Sequence, residues 1–337
     1  MSFKRLDPED FVVSSDSITS TLWSTGAPAL TQFFTSSVQE AGSSGDFYLA
    51  VYQTSSTLTS AVPQFEIAYA DSVGSGSSLY NSAVPGKSPS TSIYGQYRAL
   101  ILEDENANFV FGSGTDILTA THFWVISIDR AQYKESLFPG SLNLTLSGSA
   151  GTIYLTDDSQ DNPVNQFLGS SRYYQLISGS NGSAGTLANS GYVANSGSYG
   201  LVFPDLGTIL LNPDAISQSI HVDTLRNSNT DSNNPRLLLN AMNLGESFSL
   251  NSEETITSDY IFVRSRNSEF NYSENPSFIS GSTGEVIYDQ FINHPQVYAT
   301  TVGMYNDSNE LLAVAKLSKP LLKDFTKEAL VRVKLDF

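Results

Sequence analysis

The chain has 337 residues, and its 17 Lys and Arg stand against 34 Asp and Glu, which gives a formal net charge of -17. This negative charge repels phosphate backbones and anionic headgroups, so the composition argues against direct contact with nucleic acid. The absence of cysteine excludes disulfides, thiolate catalysis and cysteine-bound metals. No apolar run approaches the roughly 20 residues that span a bilayer, so no membrane insertion is predicted.

The polar positions favour β-structure. Ser, Thr, Asn and Gly are abundant while Lys is scarce, which is typical of strands joined by many turns. In chain order, the predicted strands are Phe47 to Gln53, Phe65 to Tyr69, Phe123 to Asp129, Leu142 to Leu146, Ile153 to Leu155, Tyr173 to Ile177, Gly207 to Leu211 and Tyr260 to Arg264. The predicted fold class is therefore mainly β, with two or three β-sandwich or barrel-like domains and few short helices.

One helix has clear end signals. Asn234 is a good N-cap, Pro235 suits the first helical position, and Gly245 stands just past the predicted end. Two weaker helix candidates are Pro28 to Val38 and Arg130 to Ser136.

Segments rich in Gly, Ser and Asn predict the loops and the domain boundaries. They lie at 72–92, 178–200 and 227–234, and the second is long enough to predict contact with a neighbouring subunit or mobility. The predicted division is an N-terminal β or irregular region at 1–105, a central β domain at 106–255 that carries the long loop, and a C-terminal β assembly domain at 256–337.

The C-terminal segment predicts a hairpin and a final strand. VGMY and ELLAVAKL flank Asn306 to Asn309, a turn whose Asn and Asp residues tolerate left-handed conformations. ALVRVKLDF then alternates apolar and polar residues up to Phe337. Positive charge is concentrated here, so the candidate assembly contacts are Lys316, Lys319, Lys323, Lys327, Arg332, Lys334 and Phe337, with an ordinary solvated face as the alternative.

Motifs for catalysis and for cofactor binding are missing from the sequence. His122, His221 and His294 lack metal-site spacing, no G-x-S-x-G occurs, and the Gly86-Lys87-Ser88 tripeptide lacks the first glycine of a phosphate loop. The DDSQD run at 157–161 is dense in oxygen ligands but lacks the calcium-loop pattern, so a turn is favoured there. We therefore predict no catalytic, cofactor or metal residues, and a non-enzymatic protein.

Two alternatives stay open. Trp23 and Trp124, with the abundant Tyr, are candidates for a sugar-stacking platform, although aromatic residues in strands are more often core. A pair of acids among the 34 carboxylates is the basis of a second alternative, a glycan-degrading enzyme.

Several segments resemble virion structural proteins of large contractile-tailed phages. They are SIYGQYRALILEDE at 92–105, the stretch FWVISIDRAQYKESLFPGSLNLTLSG at 123–148, YGLVFPDLGTILLNP at 199–213, SRNSEFNYSENPSF at 265–278, and the run from Phe291 to Phe337. The resemblance implies a structural subunit of the tail or baseplate, either wedge or peripheral. It transfers no catalytic residue.

What the resemblance implies about partners follows from that role. The expected partners are other virion structural proteins, with several copies of the chain in a symmetric assembly. The expected location is the virion, after synthesis in the host cytoplasm. A neck or capsid-associated structural protein, and a receptor-binding module that recognises host glycans, are the alternatives.

Overall fold

The computed structural model describes residues 3–35, 48–77, 80–84, 88–149, 151–185, 196–216 and 233–336. The chain is mainly β, as predicted, and it divides into two compact units. Unit 1 consists of Met1–Ser17 and Thr255–Phe337, and unit 2 of Ile18–Glu254. The three-part division predicted from composition stays a prediction.

Unit 2 is built on one large antiparallel sheet. In spatial order its strands are β2 (Ala29–Leu30), β17 (Phe248–Ser249), β10 (Asn143–Gly148), β11 (Gly151–Asp157), β13 (Ser171–Ser180), β15 (Gly200–Phe203), β16 (Thr208–Leu211), β8 (His122–Ile128), β5 (Pro63–Asp71), β4 (Tyr48–Tyr52) and β3 (Phe34–Thr35). Two short strands, β12 (Gln166–Leu168) and β14 (Ser183–Ala184), also pair with β13. A separate hairpin joins β6 (Phe109–Ser113) to β7 (Asp116–Ala120).

The strands predicted in this unit are confirmed. The alternating or continuous apolar runs on which the predictions rest coincide with the observed strands β4, β5, β8, β10, β11, β13 and β16. The first of them begins at Tyr48, since Phe47 lies outside the described residues. The predicted loop at 178–200 lies partly outside them as well.

The two weaker helix predictions are wrong. The segment from Pro28 contains strands β2 and β3, and Leu30 of β2 pairs with Phe248 in the core. The segment from Arg130 forms only one 3-10 turn, Arg130–Gln132, in which the Asp129 side chain accepts a hydrogen bond from the Ala131 amide. The chain then becomes extended, so the short strand β9 (Ser136–Leu137) can pair with residues 252 and 253.

Four α-helices occur in the described residues. They are α1 (Pro89–Tyr97), which continues into a π turn at Arg98–Leu102, α2 (Pro213–Ile216), α3 (Asn234–Gly245) and α4 (Gln290–Asn293). α3 is the predicted helix. Gly245 is its last residue, and a β-carbon there would lie 2.1 Å from the Thr145 carbonyl oxygen, so glycine allows the helix end to approach β10.

Helix α3 lies inside the curl of the large sheet. It contacts β10 near one end of the strand order and β4 and β5 near the other, which requires the sheet to wrap around it. Leu238 and Met242 are fully buried, and the Trp124 indole nitrogen donates a hydrogen bond to the Asn234 carbonyl oxygen at 3.1 Å. A second buried cluster, which includes Tyr94 and Phe109, involves the β6–β7 hairpin and α1.

The remaining strands lie wholly or mostly in unit 1, and two of them extend four residues into unit 2. β1 (Phe11–Thr21), β18 (Asn251–Ser265) and β21 (Ala329–Asp336) lie side by side with β18 in the middle, which confirms the strand predicted from Tyr260 and the predicted final strand. β19 (Gln296–Tyr305) and β20 (Leu311–Asp324) form the predicted hairpin. β20 continues through Pro320, although proline has no N–H to donate to a neighbouring strand. A bulge places residues 317–320 opposite Thr300, so Pro320 lies where the regular hydrogen bonding between β19 and β20 is interrupted.

Candidate assembly surface

Unit 1 buries few of its apolar side chains. Of the buried hydrophobic residues in the described chain, all but Ile261, Phe278 and Val333 belong to unit 2. Yet more than half of the large hydrophobic residues that are exposed in the described chain belong to unit 1, which holds fewer than a third of all residues. Contiguous patches of exposed apolar side chains are a common feature of surfaces that bind other molecules.

The β19–β20 hairpin, residues 296–324, is a ribbon of two strands that we call the arm. No third strand pairs with it in the part of the chain that the structure describes. Its apolar band comprises Tyr305, Leu311, Leu312 and Val314, which are 38%, 53%, 68% and 60% exposed. A ribbon of two strands is at best marginally stable in water by itself, so burial of this band by a partner would stabilise the arm.

The band lies on one face because of the strand register. Gly303 is opposite Val314, and Tyr305 is opposite Leu311, so each pair projects from the same side of the ribbon. The Tyr305 ring and the Leu311 side chain cover Gly303, where an added β-carbon would lie 3.0 Å from the ring. Because Gly303 has no side chain, the Tyr305 ring and the Leu311 side chain can lie across the strand at this position.

Charges flank the band on both sides. Lys316 and Lys319 are exposed on β20 beyond the band, towards the base of the arm. Asp307 and Glu310 are exposed at the tip, where Glu310 accepts a hydrogen bond from the Asn306 side-chain amide at 2.7 Å. Along the arm, the order is thus acidic tip, apolar band and basic base.

Lys323 lies inside unit 1, at the base of the arm. It is 2% exposed, and its ammonium donates hydrogen bonds to the Asn267 carbonyl oxygen at 3.0 Å, the Asn271 side-chain oxygen at 2.8 Å and the Asp324 carbonyl oxygen at 2.9 Å. These bonds tie the 266–271 loop to the arm. All three acceptors of the Lys323 ammonium therefore belong to unit 1.

The neighbouring Asp324 carboxylate is also internal. Hydrogen bonds from the Thr326 hydroxyl, and then from the Thr326 amide and Lys327, lower the pKa of Asp324 to about 2. Because this pKa lies below that of an unfolded aspartate, the stabilisation is present above pH ~4 and is lost as the pH falls towards 2.

A second surface, which we call the basic face, lies on β18 and β21. The register places Tyr260 opposite Lys334 and Phe262 opposite Arg332, and Arg264 follows on the same side. The Arg332 guanidinium carbon and the Lys334 nitrogen lie 5.6 and 5.9 Å from the Tyr260 ring centroid, within cation–π range. A hydrogen bond to Asp336, at 2.8 Å, is the main cause that raises the pKa of Lys334.

The residues predicted as assembly contacts therefore fall into separate places. Lys316 and Lys319 lie on the arm, Arg332 and Lys334 lie on the basic face, Lys327 pairs with Asp324 at 3.4 Å, Lys323 is buried, and Phe337 lies outside the described residues. The prediction missed Tyr260, Phe262 and the apolar band. Their alternation with polar residues was the available signal, since it shows which strand positions share a face.

Unit 2 has a polar cleft of about 300 Å³. Its lining includes Asp116, Asp158, Asp161, Asn162, Gln175, Ile177 and Ser198. Each of the three carboxylates accepts a backbone amide hydrogen bond, Asp116 from Gly197, Asp158 from Gln175 and Asp161 from Ala184. They are used to fix loops, and the described lining contains no aromatic ring on which a sugar would stack.

The other predicted sites have structural explanations. Burial, with a smaller contribution from Asp157, raises the pKa of Asp158. Both Asp157 oxygens accept the Gly140 amide at 2.9 Å, in agreement with the turn interpretation of this run. Trp23 and Trp124 are both in the core, so they form no sugar platform. Among the described residues, no three acidic or histidine side chains are placed to hold a metal ion.

The histidines do not form one site. The His122 ring is buried, its Nδ1 lies 3.1 Å from the Thr121 hydroxyl, and its Nε2 lies 3.6 Å from an Asp214 oxygen. His294 lies in the other unit, and His221 lies outside the described residues. Within the described ranges, no helix is long and apolar enough to cross a membrane.

Comparisons with protein-family models, with curated proteins and with solved structures found no match. The class of protein that the fold defines is a mainly β chain with two compact units, in which the smaller unit carries most of the exposed apolar surface.

Proposed function

We propose that this chain is a non-enzymatic structural subunit of a tailed-phage virion, located in the tail or baseplate, and that unit 1 makes its assembly contacts. The resemblance of the segments at 92–105, 123–148, 199–213 and 265–278, and of the C-terminal run, supports the class. The distribution of apolar side chains supports the role of unit 1.

The observation that carries the proposal is that unit 1 exposes more large apolar residues than it buries. A unit of this size that folded to work alone would place such residues in its own core. A virion subunit instead buries such side chains against neighbouring subunits. Stable interfaces of this kind usually bury more than 1,000 Å² of accessible surface in total.

The basic face supplies the polar part of such an interface. Arg332 lies over Tyr260, and no carboxylate in the described chain is within ion-pair distance of its guanidinium. Arginine and tyrosine are enriched, with tryptophan, among the residues that contribute most to binding at protein interfaces. An acidic surface on a neighbouring virion protein would fit this face.

A phage that carries Arg332→Glu tests the proposal. Reversal of a charge at an interface places like charges together, so we expect the amount of this chain per purified particle to fall about tenfold or more. Quantitative mass spectrometry of the particles measures this amount.

Arg5→Glu is the matched control, because Arg5 is an exposed arginine of unit 1 outside the basic face. It should leave incorporation unchanged. Normal incorporation of a folded Arg332→Glu chain would contradict the assignment of the basic face to assembly.

A further inference from the structure

We propose that the open side of β1, at residues 11–16, pairs with an extended strand of a neighbouring virion protein, which adds to the β1–β18–β21 sheet. This inference rests on the proposed function, because it names one way in which unit 1 contacts a neighbour. The backbone recognises the partner, since an edge strand offers a row of N–H and C=O groups that a second strand can bond.

β1 has a pairing partner on one side only. It is the first strand in the order β1–β18–β21, and no strand of the described chain pairs with its other side. Its side chains are uncovered as well, because every residue at 11–16 is exposed except Ser14, which is partly exposed. This edge of the sheet is therefore accessible to a strand of another molecule.

The two edges of this sheet differ in how they are protected. Natural edge strands are commonly blunted by charged side chains, especially lysine, by proline, or by a very short length. β21, the opposite edge, carries Arg332, Lys334 and Asp336. β1 is 11 residues long, has Asp16 as its single charged residue, and contains neither lysine nor proline. β1 thus lacks the features that keep a second strand away.

Apolar side chains on both faces of β1 define the kind of strand that fits. Phe11 and Val13 project from one face of the sheet and Val12 from the other, because side chains alternate along a strand. Phe11, Val12 and Val13 are 48%, 49% and 66% exposed. A partner strand with apolar residues on both of its faces would cover all three, since residues opposite each other on paired strands are in contact.

A strand of another protein fits this edge better than β1 of a second copy. Antiparallel pairing of two β1 strands over their full length is centred on Asp16, the middle residue of Phe11–Thr21. It would place the two Asp16 carboxylates directly opposite each other, and like charges in that position destabilise a strand pair. A partner strand with lysine or arginine opposite Asp16 would instead gain from the charge.

Hydrogen exchange at single-residue resolution, on the purified full chain and on isolated tails, tests the strand addition. Successive amides of an edge strand point alternately to the paired neighbour and to the open side. In the free chain, every second amide at 11–16 should therefore exchange fast. In tails, the same amides should exchange at least about tenfold more slowly, because each would be bonded to the added strand.

Substitutions of Val13 provide an independent test in particles. Val13→Lys introduces the residue type that natural edges use against pairing, so the amount of the chain per particle should fall about tenfold. Val13→Thr keeps the branched shape and the preference for strands, so this amount should stay within about twofold of wild type.

Val164→Lys is the matched control, because Val164 is 75% exposed and lies outside the strands. It should leave incorporation unchanged. Circular dichroism of the free variants confirms that each is folded, which is expected because both valines are exposed.

Failure of the strand addition is distinguishable from failure of the proposed function. Alternate amides that stay fast in a chain present in tails, or a loss in Val13→Thr as large as in Val13→Lys, would overturn the strand addition and leave the function standing. Protection that appears in the free chain as its concentration rises would overturn the assignment to another protein, because the partner would be a second copy. Absence of the chain from particles would remove the function, and with it the partner named here.

Discussion

Replacement of Trp124 by alanine should lower the free energy of unfolding of unit 2 by about 3 to 5 kcal/mol, the usual cost of removing a buried aromatic side chain. Trp124 is fully buried, lies 5.7 Å from the Tyr69 ring and bonds through its indole nitrogen to the first residue of α3. The substitution would therefore leave a cavity and also release the helix from the sheet. Urea denaturation of the full chain measures the loss.

Two control variants separate these contributions. Trp124→Phe keeps most of the apolar volume and loses the hydrogen bond, so it should cost less than Trp124→Ala. Tyr154→Ala removes an aromatic ring that is 44% exposed on β11 and should change the stability by about 0.5 kcal/mol or less. Equal stability of the Trp124→Ala and wild-type chains would contradict the packing of α3 inside the curled sheet.

Replacement of Lys323 by methionine should cost about 2 to 4 kcal/mol of local stability in unit 1. The methionine fills similar space, but the Asn267 carbonyl and the Asn271 side-chain oxygen lose their donor, and each buried unsatisfied acceptor costs about 1 to 3 kcal/mol. Hydrogen exchange in the 266–271 loop measures the effect, and we expect faster exchange there.

Lys319→Met is the matched control for Lys323→Met, because Lys319 is exposed on the same strand. It should leave exchange in the loop unchanged. Unaltered exchange in Lys323→Met would show that the ammonium does not hold the loop, and Lys323 would then return to the set of residues available to a partner.

Local structure was largely predictable from the sequence. The alternation in Tyr260 to Arg264 and in ALVRVKLDF predicted β18 and β21, and the signals at Asn234 and Pro235 predicted α3. Strand order was not predictable. β18 pairs with β1, more than 200 residues earlier, and nothing in either local pattern identifies so distant a partner.

The failed helix predictions have the same origin. The segment from Pro28 contains no residue that forbids a helix beyond its first turn, yet pairing of Leu30 with Phe248 in the core makes it extended. Tertiary contacts outweigh intrinsic propensities, which amount to less than about 1 kcal/mol per residue.

The candidate site was predictable as a region and not as a set of contacts. The run of Lys and Arg lies in unit 1, the unit with the exposed apolar band, but charge alone does not separate Lys323, which is buried, from Lys316, which is exposed. That difference arises from the 266–271 loop, which supplies the acceptors for Lys323. The basic face also depends on Tyr260, an uncharged residue on a strand far along the chain from Arg332.

The central claim is that this chain is a component of a tailed-phage particle. Its most direct test is quantitative mass spectrometry of intact, nuclease-treated particles of the tailed phage proposed to encode it, compared with isolated tails. The account predicts that the chain is present in both, is enriched in tails, and occurs at a copy number set by the symmetry of the tail or baseplate. Absence of the chain from purified particles would contradict the account.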